Sequence, residues 1–181
     1  MEHIELKGLH CHIGSQIFDI DPFELAAQVM LKFMKDIKDE TGVVLSELNL
    51  GGGFGIKYLV DDKPQPYTEY MRRGAKTVKA SAEEYGLPVP FILIEPGRSV
   101  VGAAAVTLYT VGAVKHIPDV RTYVSIDGGM GDNPRYILYQ SSYEVVCANK
   151  MNEEKTLTAT VAGKCCESGD LIQENVKLPQ V

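Results

Sequence analysis

The chain has 181 residues, 45% hydrophobic and 23% charged, and its 18 Lys and Arg against 24 Asp and Glu leave a net charge of −6. That length allows one domain or a tight pair and a real core, but not the about 250 residues of a complete eight-stranded (β/α) barrel. The acidic balance argues against a nucleic-acid binder and against a polybasic membrane-surface protein, so no nucleic-acid or membrane partner is expected.

His3 to Ile13 reads as a strand running into His-Ile-Gly-Ser. Asp21-Pro22 opens a helix, with Asp21 as cap, Pro22 in the first turn and Glu24 completing a capping box. Phe23, Ala26/Ala27, Met30, Phe33/Met34 and Ile37 recur at helical spacing, and Gly42 stops the helix. Leu45 to Leu50 is a short strand that ends at Gly51-Gly52-Gly53. After a loop with Pro64 and Pro66, a second helix runs from about Thr68 to Tyr85, with the stripe Met71, Ala75, Val78 and Ala82 and a stop at Gly86. Val89 to Glu95 is a third strand, ended by Pro96-Gly97. The order β-α-β-α-β implies parallel strands covered by helices, and ligands bind at the C-terminal ends of such strands. Beyond a boundary near Ala103 to Ala105 the character changes. Val106–Val114, Thr122–Asp127, Tyr143–Ala148 and Leu157–Ala162 read as short strands between turn signals, part of an antiparallel β domain.

No membrane span fits, since Val100 to Val114 is interrupted by Thr107, Tyr109 and Thr110 and is shorter than the roughly 20 residues a span needs. Met1-Glu2-His3 lacks the positive region of a signal peptide. The four cysteines, Cys11, Cys147, Cys165 and Cys166, show no framework spacing and read as reduced thiols of a cytoplasmic protein.

Six groups carry candidate chemistry. Gly51-Gly52-Gly53-Phe54-Gly55 follows a strand, as a phosphate cradle of backbone N–H groups or as a tight turn. Glu95, embedded in Phe91 to Ile94, is expected to sit on buried backbone. It pairs locally with Arg98, or it faces a cofactor cation and leaves Arg98 for a substrate carboxylate. His10 and His12 share one strand face, which suits core packing or ring stacking better than a metal without a third ligand. Ser15 is a turn serine or a phosphate donor. Arg135 and Tyr139 are solvated loop residues or a carboxylate grip. In Cys165-Cys166-Glu167-Ser168-Gly169-Asp170 a thiol beside a carboxylate can deliver a proton, or the pair are small buried residues before a turn.

Six segments stand in one order: Gly8-Leu9-His10-Cys11-His12-Ile13-Gly14-Ser15-Gln16, Leu50-Gly51-Gly52-Gly53-Phe54-Gly55, Glu95-Pro96-Gly97-Arg98, Asp127-Gly128-Gly129-Met130, Asn133-Pro134-Arg135 and Cys166-Glu167-Ser168-Gly169-Asp170. In this the chain resembles the diaminopimelate decarboxylases, pyridoxal-phosphate enzymes with the alanine-racemase-like fold. The resemblance implies residues 1–104 as the last part of a parallel (β/α)8 TIM-type barrel and residues 105–181 as part of the β domain. It implies His12 stacked on the pyridine ring, and Ser15, Gly51, Gly52 and Gly53 on the phosphate with Gly97 and Arg98 close by. Glu95 then faces the ring nitrogen, and Arg98, Arg135 and Tyr139 hold the substrate carboxylate. Cys166 is the proton donor and Glu167 reads the distal amino end, the last two reaching across a homodimer interface.

The implied reaction is meso-2,6-diaminopimelate to L-lysine and carbon dioxide. Decarboxylation of ornithine or arginine is the alternative activity; a non-catalytic homologue bound to a full-length subunit is the other. The family's Schiff-base lysine lies upstream of the His-Ile-Gly-Ser segment, and its Gly-Ala-Tyr segment lies further downstream than this sequence runs. The chain is therefore expected to be a fragment that exposes an edge strand and apolar interior, with poor solubility or association unless covered.

Overall fold

The computed structural model describes residues 3–181; Met1 and Glu2, part of the segment read against a signal peptide, lie outside the described residues. The chain forms two compact units, one of residues up to Lys57 with Asp61–Ala105, the other of Tyr58–Val60 with Val106–Val181.

In the first unit, strands β1 (Gly8–His10), β2 (Glu47–Asn49) and β3 (Phe91–Leu93) form a parallel sheet in that order. Helices α1 (Asp21–Thr41) and α2 (Tyr67–Glu84) connect them, as the alternating sequence requires. The regular ladder is shorter than the sequence runs, three residues per strand, with single backbone bonds continuing past it from Cys11 N to Asn49 O and from Leu50 N to Leu93 O. The core joins Ala27, Leu31 and Met34 of α1 to Leu45, Leu48 and Leu50 around β2 and to Val78 and Ala82 of α2. Leu31, Leu48 and Val78 are fully buried, each side chain contributing about 1.5–3 kcal/mol. Beside it Phe23 stacks on Phe54 at 5.1 Å between centroids, with Tyr70 edge-on to both.

Three expectations change. Asp21 does not cap α1; Ile20 occupies that position. The Asp21 and Glu24 carboxylates both bind Arg73 of α2, while Asp19 Oδ1 accepts the Asp21 N–H at 3.1 Å. The ion pairs between the helices thus take up the acids that a capping box would use. On α2 the buried line runs through Tyr70, Gly74, Val78, Ser81 and Ala82, leaving Met71 and Ala75 exposed. Third, Glu95 is exposed, as are Phe91, Ile92, Leu93 and Ile94, because β3 is an edge strand of the described sheet.

Gly42 ends α1 with φ 74° and its N–H on Lys38 O, and Gly86, after α2, donates to Glu83 O.

In the second unit, β4 (Val111–Ile117), β5 (Arg121–Ile126), β6 (Leu157–Ala162) and β7 (Leu171–Leu178) form one sheet in chain order. The sheet is mixed rather than antiparallel: β4–β5 and β6–β7 are antiparallel, but β5–β6 is parallel. The long connection from Ile126 to Leu157 returns the chain to the starting end of β5, so β6 runs the same way. Tyr143–Ala148 lies in this connection and is not a strand; Leu171–Leu178 is one, though its polar residues hide the pattern. The core is Val124 and Ile126 of β5, Ala159 and Val161 of β6, and Ile172 and Leu178 of β7. A short helix α3 (Arg98–Val101) belongs to the first unit, and a five-residue helix α4 (Arg135–Tyr139) to the connection. No helix among the described residues is long and apolar enough to cross a membrane.

Candidate functional site

The strand ends of the first unit collect one cluster. The segment after β1 runs alongside the segment after β2: Ile17 N donates to Gly53 O and Gly55 N to Ile17 O, both at 2.9 Å. Gln16 closes the same seam through both atoms of its amide, on Ile56 N and Ile56 O. Glycine is required here. Gly51 and Gly53 hold φ of 67° and 92°, a region that side chains resist. A Cβ on Gly51 would lie 2.6 Å from Cys11 O and 2.9 Å from His12 Nδ1, and one on Gly52 would overlap Glu95 O. Backbone therefore packs on backbone, and the turn keeps its N–H groups close to the strand ends.

His12 Nδ1 accepts the Gly52 N–H at 3.3 Å, so a neutral ring carries its proton on Nε2. The ring is exposed, not in the core. Glu95 sits across the strand ends. Its N–H donates to Gly51 O at 2.7 Å, and its Oε1 accepts from Asn49 Nδ2 at 2.8 Å and stands 3.5 Å from His10 Nε2. Arg98 donates to Ser15 Oγ, and Gly97 provides the φ 49° turn that starts α3. His12, Ser15, Gly51, Gly52, Gly53, Glu95, Gly97 and Arg98 thus lie at one end of one sheet. No group of three or more metal-ligating side chains occurs among the described residues.

Asn49 went unread in the sequence. Besides binding Glu95 it accepts the Gly51 N–H on Oδ1 at 2.8 Å, joining the carboxylate to the glycine turn. A polar residue directly before an apolar-glycine run was the available signal.

The second unit holds the other candidates. In α4 the Arg135 guanidinium lies over the Tyr139 ring, 5.3 Å from its centroid. Arg135 reaches Ser141 Oγ at 3.4 Å, but its Nε is buried without a partner. A buried donor left unmade costs about 1–3 kcal/mol. Tyr136 fixes the helix by donating to Glu174 Oε2 at 2.7 Å, and Arg121 binds the same carboxylate. These two partners hold the Glu174 carboxyl below the ordinary glutamate range.

The turn with Cys166 and Glu167 packs near α4, since a Cβ on Gly169 would meet Ile137 Cγ1 at 3.2 Å. Cys165 and Cys166 are both exposed thiols, not buried small residues. Glu167 Oε1 accepts from Ser168 Oγ and from Gly169 N, each at 3.2 Å, so the carboxylate stiffens its own turn. Asp170 alone of this segment is buried. Burial pushes its carboxyl up, and the N–H groups of Met130 and Cys165 with nearby Lys164 outweigh that and hold it below the ordinary range.

Parallel strands with a glycine turn, a hydroxyl–arginine pair and a carboxylate at their C-terminal ends are the setting in which α/β units take anionic ligands. The chain belongs to the pyridoxal-dependent decarboxylases: residues 1–102 match the family's pyridoxal binding domain. It is similar to the diaminopimelate decarboxylase of Bacillus subtilis, 52% identical over 180 residues that cover 99% of this chain and 41% of that protein. The Synechocystis diaminopimelate decarboxylase is 49% identical over 95% of this chain and 36% of its own length. Among solved structures, the diaminopimelate decarboxylase of M. jannaschii matches with a TM-score of 0.83 at 32% identity, over 100% of this chain and 40% of that one, and has also been seen in complex with L-lysine. The chain spans about two-fifths of the length of these relatives.

Proposed function

We propose that the chain supplies most of the cofactor and substrate groups of a diaminopimelate decarboxylase, which converts meso-2,6-diaminopimelate to L-lysine and carbon dioxide. The observation that carries this is the cluster at the ends of β1–β3: Gly51 to Gly53, Ser15 with Arg98, and Glu95. Residues 1–104 are then the last part of a (β/α)8 barrel and residues 105–181 part of the β domain.

The donor set of the cluster suits pyridoxal phosphate: a cation and a hydroxyl for the phosphate and a carboxylate for the ring nitrogen. The glycine turn, Ser15, Gly97 and Arg98 would hold the phosphate, and the exposed His12 ring would stack on the pyridine. Glu95 would keep the pyridine nitrogen protonated; when bound, the cofactor supplies the electron sink that decarboxylation needs. Arg98, Arg135 and Tyr139 are the candidates for holding the substrate carboxylate. The Cys166 thiol delivers a proton to the α-carbon after carbon dioxide leaves. Glu167 reads the distal ammonium group, which is the mark of a diamino substrate. The exposure of Cys166 and Glu167 accords with a site shared across a homodimer, and the reduced thiols with the cytoplasm.

The test is a chimera in which this chain replaces the matching segment of the B. subtilis enzyme. Titrated with pyridoxal phosphate, it is expected to bind stoichiometrically. Arg98→Ala and Ser15→Ala should each weaken binding about tenfold, the loss of one charge-assisted bond of ~1.4 kcal/mol. Wild-type affinity in both variants would overturn the placement of the phosphate.

A further inference from the structure

We propose that Asp170 is the positioning residue of the acid turn: its buried carboxylate ties the loop carrying Cys166 and Glu167 to the loop that leads into Arg135. The proposal rests on the reading of Cys166 and Glu167 given above.

The geometry is specific. Asp170 Oδ1 accepts the Met130 N–H at 2.6 Å, and Oδ2 accepts the Cys165 N–H at 2.7 Å. One carboxylate thus spans two loops that sequence separates by about forty residues. Its own main chain adds to the tie: Gly163 N donates to Asp170 O at 2.7 Å and Asp170 N to Glu167 O at 3.0 Å. A further bond joins the same loops, from Lys164 N to Gly128 O at 3.3 Å. On the other loop, Gly129 N donates to Asp132 Oδ2, and Asp132 N and Asn133 N donate to Gly129 O. Pro134 and Arg135 follow directly.

Two glycines make room for the carboxylate. A Cβ on Gly129 would lie 2.9 Å from Asp170 Cγ, and one on Gly163 would collide with the same group. Neither glycine has a φ in the left-handed region, so close approach, not backbone freedom, is what requires them. Asp170 is 2% exposed and does not face solvent where substrate would come. It acts on the reaction only through the residues it holds: Cys165 is covalently next to Cys166, and Glu167 O is bonded to Asp170 N.

Asparagine is the informative replacement. Its amide keeps the size but presents an N–H₂ group to one of the two N–H donors, so one bond is lost and two donors are set against each other. Hydrogen exchange on the 181-residue chain reads this directly. In Asp170→Asn, the Met130 and Cys165 amides are expected to exchange at least tenfold faster. Those of Val124, Val161 and Ile172 in the sheet should stay within twofold. Unchanged exchange at Met130 and Cys165 overturns the proposal. Global unfolding of the variant moves the test to Gly129→Ala, whose methyl displaces the carboxylate; retention of both slow amides there overturns it equally.

In the chimera, Asp170→Asn should lower kcat at least tenfold and raise KM for diaminopimelate while keeping its pyridoxal phosphate. Unaltered kcat and KM with the two amides released would refute the link to catalysis. Should Cys166→Ala in the same chimera turn over at the wild-type rate while Asp170→Asn still frees both amides, the assignment of Cys166 fails and the tie by Asp170 stands.

Discussion

Replacing Gly51 by alanine tests the strand-end cluster at its tightest point. The new Cβ would lie 2.6 Å from Cys11 O, 2.9 Å from His12 Nδ1 and 3.1 Å from His12 Cα, where ordinary contact begins near 3.4 Å. The neighbours must therefore yield by 3.4 − 2.6 = 0.8 Å, and two of the three are backbone atoms, which cannot swing away. Holding alanine at φ 67° costs a further roughly 1–2 kcal/mol, and overpacking of this kind about 1–3 kcal/mol. The sum, about 2–5 kcal/mol, is a large part of the 5–15 kcal/mol that stabilises an ordinary domain. Urea unfolding followed by helical circular dichroism reads it, because both long helices belong to the first unit. At a slope of about 2 kcal/mol/M the midpoint should fall by about 1–2.5 M. Gly74→Ala is the control. It sits inside α2 with nothing within 4 Å of a new Cβ, and should gain the roughly 0.5–1 kcal/mol that alanine has over glycine in a helix, raising the midpoint by about 0.25–0.5 M. A Gly51→Ala chain as stable as the control would refute the close-approach argument.

Three further outcomes are expected. In the chimera, Cys166→Ala should lower kcat by about 10²–10⁴, the usual worth of a positioned proton donor, with KM for diaminopimelate nearly unchanged in steady-state assays. Tyr70→Phe should cost about 0.5–1.5 kcal/mol in urea melts, since Tyr70 is buried and its hydroxyl donates to Ile17 O at 2.9 Å, while that carbonyl keeps the Gly55 N–H. The Asp170 carboxyl is held below its ordinary value by the Met130 and Cys165 N–H groups acting against burial. Its contribution to stability is therefore complete above about pH 4 and is lost as the pH falls through the lower folded value. Acid melts of the chain and of Asp170→Asn should diverge at neutral pH and converge below that value.

The first unit was legible because its chemistry is written in periods. Apolar residues at helical spacing located α1 and α2 within a residue or two, and the glycine run marked the end of β2. What periodicity cannot give is the partner of each polar group. Asp21 and Glu24 look like a capping box in sequence, yet Arg73, about fifty residues on, takes both. Glu95 was expected on buried backbone because apolar residues precede it, but burial depends on what covers the strand, and β3 stands at the sheet edge. In the second unit the strands β5 and β6 were visible and their parallel pairing was not, since direction depends on where a long connection returns the chain. Asn49 had only its place before the glycine run as a signal, while its bond to Glu95 is tertiary and its bond to the Gly51 N–H closes around the turn. The role of Asp170 comes from bonds to backbone N–H groups in two loops, which no residue pattern announces.

The central claim is tested most directly by carbon dioxide release from the chimera loaded with pyridoxal phosphate, with meso-diaminopimelate, ornithine, arginine and lysine as separate substrates. Release is expected from meso-diaminopimelate with stoichiometric L-lysine, and kcat/KM for the other three lower by at least about a hundredfold, ~2.7 kcal/mol of discrimination. A cofactor-loaded chimera that leaves meso-diaminopimelate intact, or that prefers ornithine, would contradict it.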